Sequence, residues 1–237
     1  MTRRRLLIGI ALLVVGLTAG YLVAGIGIYD KLSVAHPNCD GQWIGQTPAS
    51  FSVEKVDVRS YLMPNFEPEP IPSRDPGISL SAWWIPSDAG ATAPAVVIVH
   101  GLNSCKRAGE LLLAAGMLHR HGDSVLLFDL RNHGDSTIQN GRYAGGTKEY
   151  RDVLGAWDWV VNTKGIAPAH VGLMGFSLGA ATALIAGGEE SRVAAMWEDA
   201  ATPISARRSG PSSPGTATRR GSNMPPTLRR GSRPATT

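Results

Sequence analysis

Gly175-Phe176-Ser177-Leu178-Gly179 closes one apolar run, HVGLMGF, and opens another, AATALIAGG. A serine flanked by two glycines at a strand-to-helix junction suits a specific chemistry. The glycines remove the Cβ atoms that would clash in a sharp turn, and the turn pushes the serine hydroxyl out above the sheet. The following helix aims its first N–H groups at the same place, where they favour a developing negative charge. This layout serves nucleophilic acyl transfer, with Ser177 as nucleophile and the backbone of Leu178 as an oxyanion donor. The pentapeptide pattern alone recurs by chance; its position between a strand and a helix gives it meaning.

A serine nucleophile needs a base, and every histidine lies upstream of it: His36, His100, His119, His121, His133 and His170. Two of them sit at the ends of apolar runs. VIVHGLNS (Val97–Ser104) is a strand that ends in His100-Gly101, and FDLRNHGDS (Phe128–Ser136) ends a second strand with Asp129 and His133. His100 reads as a brace for its loop. Asp129 and His133 read as a loop-fixing network rather than an acid–base pair, because both leave their strand before the Ser177 turn is built.

The elements that must position these residues alternate. AVVIVH, SVLLFDL, HVGLMGF and RVAAMWEDA are continuous apolar runs, as expected of strands covered on both faces. Between them, AGELLLAAGMLHRHG and TKEYRDVLGAWDWVVNTKG carry helical spacing, the second with Thr147 as a candidate N-cap. Upstream, FSVEKVDVRSYLM alternates like a marginal strand, EPEPIPSRDPG reads as a proline-broken loop, and ISLSAWWIP as a short strand. Strands alternating with helices imply an α/β fold with a mostly parallel sheet.

The N-terminus has another character. Arg3-Arg4-Arg5 precedes a run with no charge from Leu6 through Tyr29, long enough as a helix to cross a hydrocarbon core. Residues 1–30 therefore read as a membrane anchor, with the N-terminus cytoplasmic and the body outside by the positive-inside rule. A secreted product after signal cleavage is the alternative. Residues 31–50 read as a connector, 51–201 as the folded body, and 202–237 as a disordered basic tail rich in Arg, Pro and Ser. The net charge of +4 is segregated: Leu6 to Ala201 carries a net −6, which gives no electrostatic case for nucleic acid. Cys39 and Cys105 are too few for a zinc site or a disulfide framework. They could bridge in an oxidising compartment, but they are read as two unpaired thiols.

Taken together, the three motifs around His100, Asp129 and Ser177 resemble the α/β-hydrolase superfamily, in particular membrane-anchored bacterial hydrolases related to serine aminopeptidases and prolyl oligopeptidase-like enzymes. The resemblance runs from about Phe51 to Ala201. It implies an eight-stranded α/β-hydrolase sheet and hydrolysis of an ester or amide, including peptide, bond. Ser177 is the implied nucleophile, with an oxyanion hole from Leu178 and from Leu102 or Asn103, Leu102 being preferred. It implies a small-molecule or peptide substrate and no metal or organic cofactor. In DLRNHGDS, Asp129, Arg131, His133, Gly134 and Ser136 match the family's D-x-R-G-H-G-x-S, with Asn132 in place of a glycine. The family places its acid and its base histidine beyond two further strands, where this sequence carries the basic tail. Asp199 is the remaining candidate acid. No histidine follows the nucleophile, so a catalytically inactive, truncated or vestigial hydrolase-fold protein is the alternative reading.

Overall fold

A computed structural model describes residues 3–35, 39 and 41–199, apart from the side chain of Gln42. The expected disordered tail lies outside these residues, as does His36. The elements in chain order are α1 (Arg3–Ser33), β1 (Glu67–Pro72), β2 (Ser79–Ile85), β3 (Ala95–Val99), α2 (Gly109–His121), β4 (Ser124–Phe128), α3 (Tyr150–Asn162), β5 (Val171–Phe176), α4 (Leu178–Glu189) and β6 (Met196–Asp199).

The described strands form one mixed sheet in the order β1-β2-β4-β3-β5-β6. The pairs β3–β4, β3–β5 and β5–β6 are parallel, while β1–β2 and β2–β4 are antiparallel. Alternation along β4 sorts the core into two layers. Val125 and Leu127 pack with Ile98, Leu111 and Leu112 on the α2 face. Leu126 and Phe128 pack with Val97, Val99, Val153 and Trp157 on the α3 and α4 face. Both faces are covered, so β3 and β4 had to be apolar throughout rather than alternating.

Four expectations are corrected. The proline-broken stretch EPEPIP is a strand, β1, at the sheet edge. Pro68, Pro70 and Pro72 fall on alternate positions, so their missing N–H groups face the free edge, where no ladder bond is lost. The alternating stretch FSVEKVDVRSYLM forms no strand; it holds an isolated bridge between Val53 and Val56 and a 3₁₀ turn at Arg59–Tyr61. Phe51 and Met63 are nevertheless buried against the α2 layer, so its apolar residues serve core contact rather than sheet pairing. Thr147 does not cap α3: its hydroxyl donates to the Ala144 carbonyl, and Glu149 stands at the N-cap. Cys39 and Cys105 are joined by a disulfide with a Cα–Cα distance of 5.7 Å, not left as two thiols. Of the eight strands the resemblance implied, six lie among the described residues, and β6 forms an edge with Met196 and Trp197 about half exposed.

The first helix is long and apolar enough to cross a membrane. Its residues from Arg3 through Tyr29 are all exposed, and burial against the body begins only at its end, at Ser33.

Candidate functional site

Ser177 sits between the last residue of β5 and the first of α4 with φ 53° and ψ −123°, a conformation that L-residues rarely adopt. What holds it there is close packing. A Cβ on Gly175 would stand 2.5 Å from Cα of Ala180, and one on Gly179 would collide with the carbonyl oxygens of His100 and Val99. Both positions of the pentapeptide must therefore be glycine if the start of α4 is to seat on the end of β3. The Ser177 N–H donates to the carbonyl of Asp199 at 2.8 Å, which ties the turn to β6. Ser177 itself is partly exposed.

The loop after β3 lies against the serine. A Cβ on Gly101 would be 3.1 Å from Cβ and 3.6 Å from Oγ of Ser177. The carbonyl of Gly101 accepts a hydrogen bond from Nδ1 of His100 at 2.7 Å, and Nε2 of His100 accepts from the Leu130 N–H at 3.0 Å. These two bonds fix a neutral tautomer. They also fix a peptide plane: the Gly101 C=O and the Leu102 N–H belong to one trans unit and point in opposite directions. With the carbonyl turned toward the buried imidazole, the Leu102 N–H is turned away from it. Asn103 follows in the left-handed region at φ 58°, and Asn103 Oδ1 and Ser104 Oγ are buried without a hydrogen-bond partner.

His100 thus braces the loop, and both of its ring nitrogens are engaged. Burial pushes its pKa well below the usual histidine range, and the neighbouring His133 lowers it further. The His133 ring lies edge-on to His100 at 5.0 Å, fully buried, with Nδ1 donating to the Arg131 carbonyl at 2.9 Å. Burial lowers its pKa too, and Nε2 is left without a partner. Asp129 does not pair with His133. Its carboxylate accepts from the Lys106 backbone at 2.7 Å, from Lys106 Nζ at 2.5 Å and from the Asp135 N–H at 2.9 Å. It therefore staples the loop after β3 to the loop after β4.

Arg131, also buried, donates from Nε and Nη2 to the Asp152 carboxylate of α3 and from Nη1 to Asp75 at 2.7 Å. Burial opposes its charge, but the two carboxylates outweigh that and raise its pKa. Asn132 takes φ 64°. An asparagine tolerates this region where most side chains do not. Its Oδ1 accepts from the backbones of Gln139, Asn140 and Gly141. A glycine could take the same backbone but could not organise that turn, which gives Asn132 a local reason.

The arrangement brings Ser177, Leu178, Gly101 and Leu102 together. It brings Asp199 close through its backbone only, with the side chain exposed. No histidine among the described residues hydrogen-bonds Ser177 or Asp199. No cluster of three or more His, Cys, Asp or Glu that could hold a metal occurs among the described residues. Sequence reasoning missed Tyr143, a buried phenol pushed up to about 12 by burial. Its Oη donates to the Leu178 carbonyl at 3.0 Å and lies 2.5 Å from Thr182 Oγ1, behind the first turn of α4. Nothing in the local pattern around Tyr143 marks it, since its partners lie on a distant helix.

Comparison with known proteins agrees with this geometry. The family described as alpha/beta hydrolase fold matches residues 94–232, more than half of the chain. A thiohydrolase of Aspergillus aculeatus is 36% identical over 105 residues, which are 44% of this chain and 32% of that protein. An uncharacterised protein of Mycobacterium tuberculosis is 33% identical over 108 residues, 46% of this chain and 36% of the other. The chain spans about a third of the length of these curated relatives. Among solved structures, an esterase of Pyrococcus furiosus superposes with a TM-score of 0.50 at 25% identity, covering 62% of this chain and 55% of that one. An alpha/beta hydrolase of a Penicillium species superposes with a TM-score of 0.52 at 24% identity, over 56% and 45% of the two chains, and shares the fold.

Proposed function

We propose, because the chain belongs to the α/β-hydrolase fold family, that Ser177 is the nucleophile of a site that transfers an acyl group to water. The substrate is an ester, thioester or amide. The observation that carries this reading is the strained backbone of Ser177 at the β5–α4 junction, with Gly101 packed against its side chain. The names of relatives, an esterase and a thiohydrolase, support the same bond class. The finer resemblance to serine aminopeptidases extends it to amides and peptides.

In the reaction, Ser177 Oγ attacks the acyl carbonyl carbon and its proton passes to a base. The negative charge that forms on the carbonyl oxygen is held by the N–H groups of Leu178 and Leu102. Collapse expels the alcohol, thiol or amine, which takes up the proton. Water then attacks the acyl-enzyme and releases the acid. The chemistry calls for no metal or organic cofactor. Asp199, at the end of β6, is the candidate acid to orient the base. His100 is unsuited as base because both ring nitrogens are engaged. His133 is unsuited because it is fully buried.

A second reading has its own observation. No histidine occurs among residues 178–237. A site without a positioned base keeps its backbone donors but loses most of its rate, and such a protein would bind rather than turn over its ligand. Labelling with a fluorophosphonate probe separates the two readings. Rapid labelling that Ser177→Ala abolishes supports the hydrolase; labelling no faster than for the denatured protein supports the binding protein.

For location, we propose that α1 spans a membrane with its basic end cytoplasmic and the body outside. The Cys39–Cys105 disulfide supports this side, since such bridges persist where the environment is oxidising. Retention in the membrane through an alkaline carbonate wash tests the anchor, and a shortened soluble product would establish a cleaved signal instead.

A further inference from the structure

The end of α1 is not a loose tether. Arg142 pairs with Asp30 at 2.8 Å, donates to Ser33 Oγ at 2.8 Å and lies over the Tyr29 ring at 5.3 Å. Two backbone bonds join the strands of chain on either side: the Tyr143 N–H to the Ser33 carbonyl at 2.6 Å, and the Ala35 N–H to the Gly141 carbonyl at 2.9 Å. Ser33 and Ala35 are buried in this seam. Tyr143 continues it inward, because its phenol reaches the Leu178 carbonyl and Thr182 in the first turn of α4. One residue therefore touches both the exit of α1 and the helix that begins beside Ser177.

The seam sets a height. Summed along these contacts, Ser177 lies within about 20 Å of Ser33. The uncharged run Leu6–Tyr29 covers about 36 Å as a helix, slightly more than the roughly 30 Å hydrocarbon core. Asp30 and Ser33 then fall in the head-group layer, and Ser177 stands a short way above it. A lipid that rises part-way from the bilayer covers that distance while the end of its chain stays in hydrocarbon.

We propose that the substrate class of this site is a membrane-resident acyl ester or thioester, presented to Ser177 from the leaflet in which α1 emerges. This rests on Ser177 as nucleophile and α1 as a membrane span. The docked seam Asp30–Arg142–Tyr143 is what holds the site within reach of the bilayer.

The test uses the full chain with Ser177→Cys, reconstituted in phosphatidylcholine nanodiscs. Cys39 and Cys105 are paired, so the new thiol is the only free one. It is treated with hexadecylmaleimide, which stays in the bilayer, or with N-ethylmaleimide, which reaches it from water. The expected result is that hexadecylmaleimide modifies the docked protein at least about tenfold faster than the same protein carrying Asp30→Ala and Arg142→Ala, because docking raises the effective concentration. The N-ethylmaleimide rate should be equal in both. If those substitutions disturb the fold, a six-residue Gly/Ser insertion after Lys31 frees the helix while leaving the contacts of Ser33 and Ala35 in place, and it should give the same loss. Equal hexadecylmaleimide rates in docked and undocked protein overturn the proposal. Failure of the underlying readings looks different: a protein washed from the membrane by carbonate has no anchor, and a thiol closed to N-ethylmaleimide as well is no exposed nucleophile.

Discussion

The α-carbon of Gly101 lies so close to Ser177 that an added methyl group would stand 3.6 Å from the hydroxyl oxygen. It would also stand 3.2 Å from the Phe176 carbonyl, so the loop would have to shift by a few tenths of an ångström. Gly101→Ala should therefore cost little stability, about 1 kcal/mol, while moving the loop that carries Leu102, the proposed oxyanion donor, relative to the serine. Its rate of fluorophosphonate labelling should fall by roughly tenfold or more, since small misplacements at a reacting centre are costly. Equal loss of labelling and of melting temperature would instead mark a general folding defect.

The buried histidine pair should make the fold sensitive to mild acid. Both His100 and His133 have folded pKa values below the unfolded value of 6.5, through burial first. Between those values the unfolded chain binds protons that the folded chain does not. Stability is then fully present above about pH 6.5 and is lost as pH falls below it, by at most about 1.4 kcal/mol per pH unit for each histidine. Melting temperatures measured from pH 8 to 5 should stay level and then decline. His133→Asn, which retains a donor for the Arg131 carbonyl, should make the decline shallower if it folds natively.

The carboxylate of Asp129 joins two loops through the buried ammonium of Lys106, both side chains being almost wholly inaccessible. Asp129→Asn would leave Lys106 with only the half-exposed Asp135 as a charged partner. Breaking one side of a buried pair typically costs about 3–5 kcal/mol. Denaturant titration of this variant should show that loss with little change in slope. A cost under about 1 kcal/mol would mean that Asp135 suffices alone.

The Cys39–Cys105 bridge closes a separation of 66 residues and fixes the connector beside the loop after β3. A peptide map of unreduced protein should contain the crosslinked pair. On chain-entropy grounds, Cys39→Ser should lower stability by about 4 kcal/mol. An unchanged melting temperature with full solubility would show that the loop is held by its other contacts.

The strand-turn-helix around Ser177 was legible because its causes are local. Continuous apolar runs alternating with helical segments favour strands covered on both faces, as β3 and β4 are, and two glycines around a serine at such a junction leave few conformations open. The uncharged run Leu6–Tyr29, between Arg5 and Asp30, is likewise a property of composition, and so is the absence of a histidine after Ser177. The failures have a shared cause in partners distant along the chain. EPEPIP became a strand because β2 offered it an edge with no demand on its proline amides. Phe51 and Met63 were drawn into the α2 layer without pairing. Cys39 and Cys105 met because the connector folds back over the loop after β3. The tertiary structure alone decided that His100 turns the Gly101–Leu102 peptide, that Asp129 binds Lys106 rather than His133, and that Tyr143 joins the exit of α1 to the first turn of α4. Local sequence sets the conformation a segment prefers. Which polar groups meet in the interior depends on how the layers close over them, because a buried donor or acceptor takes whichever partner the packing brings within reach.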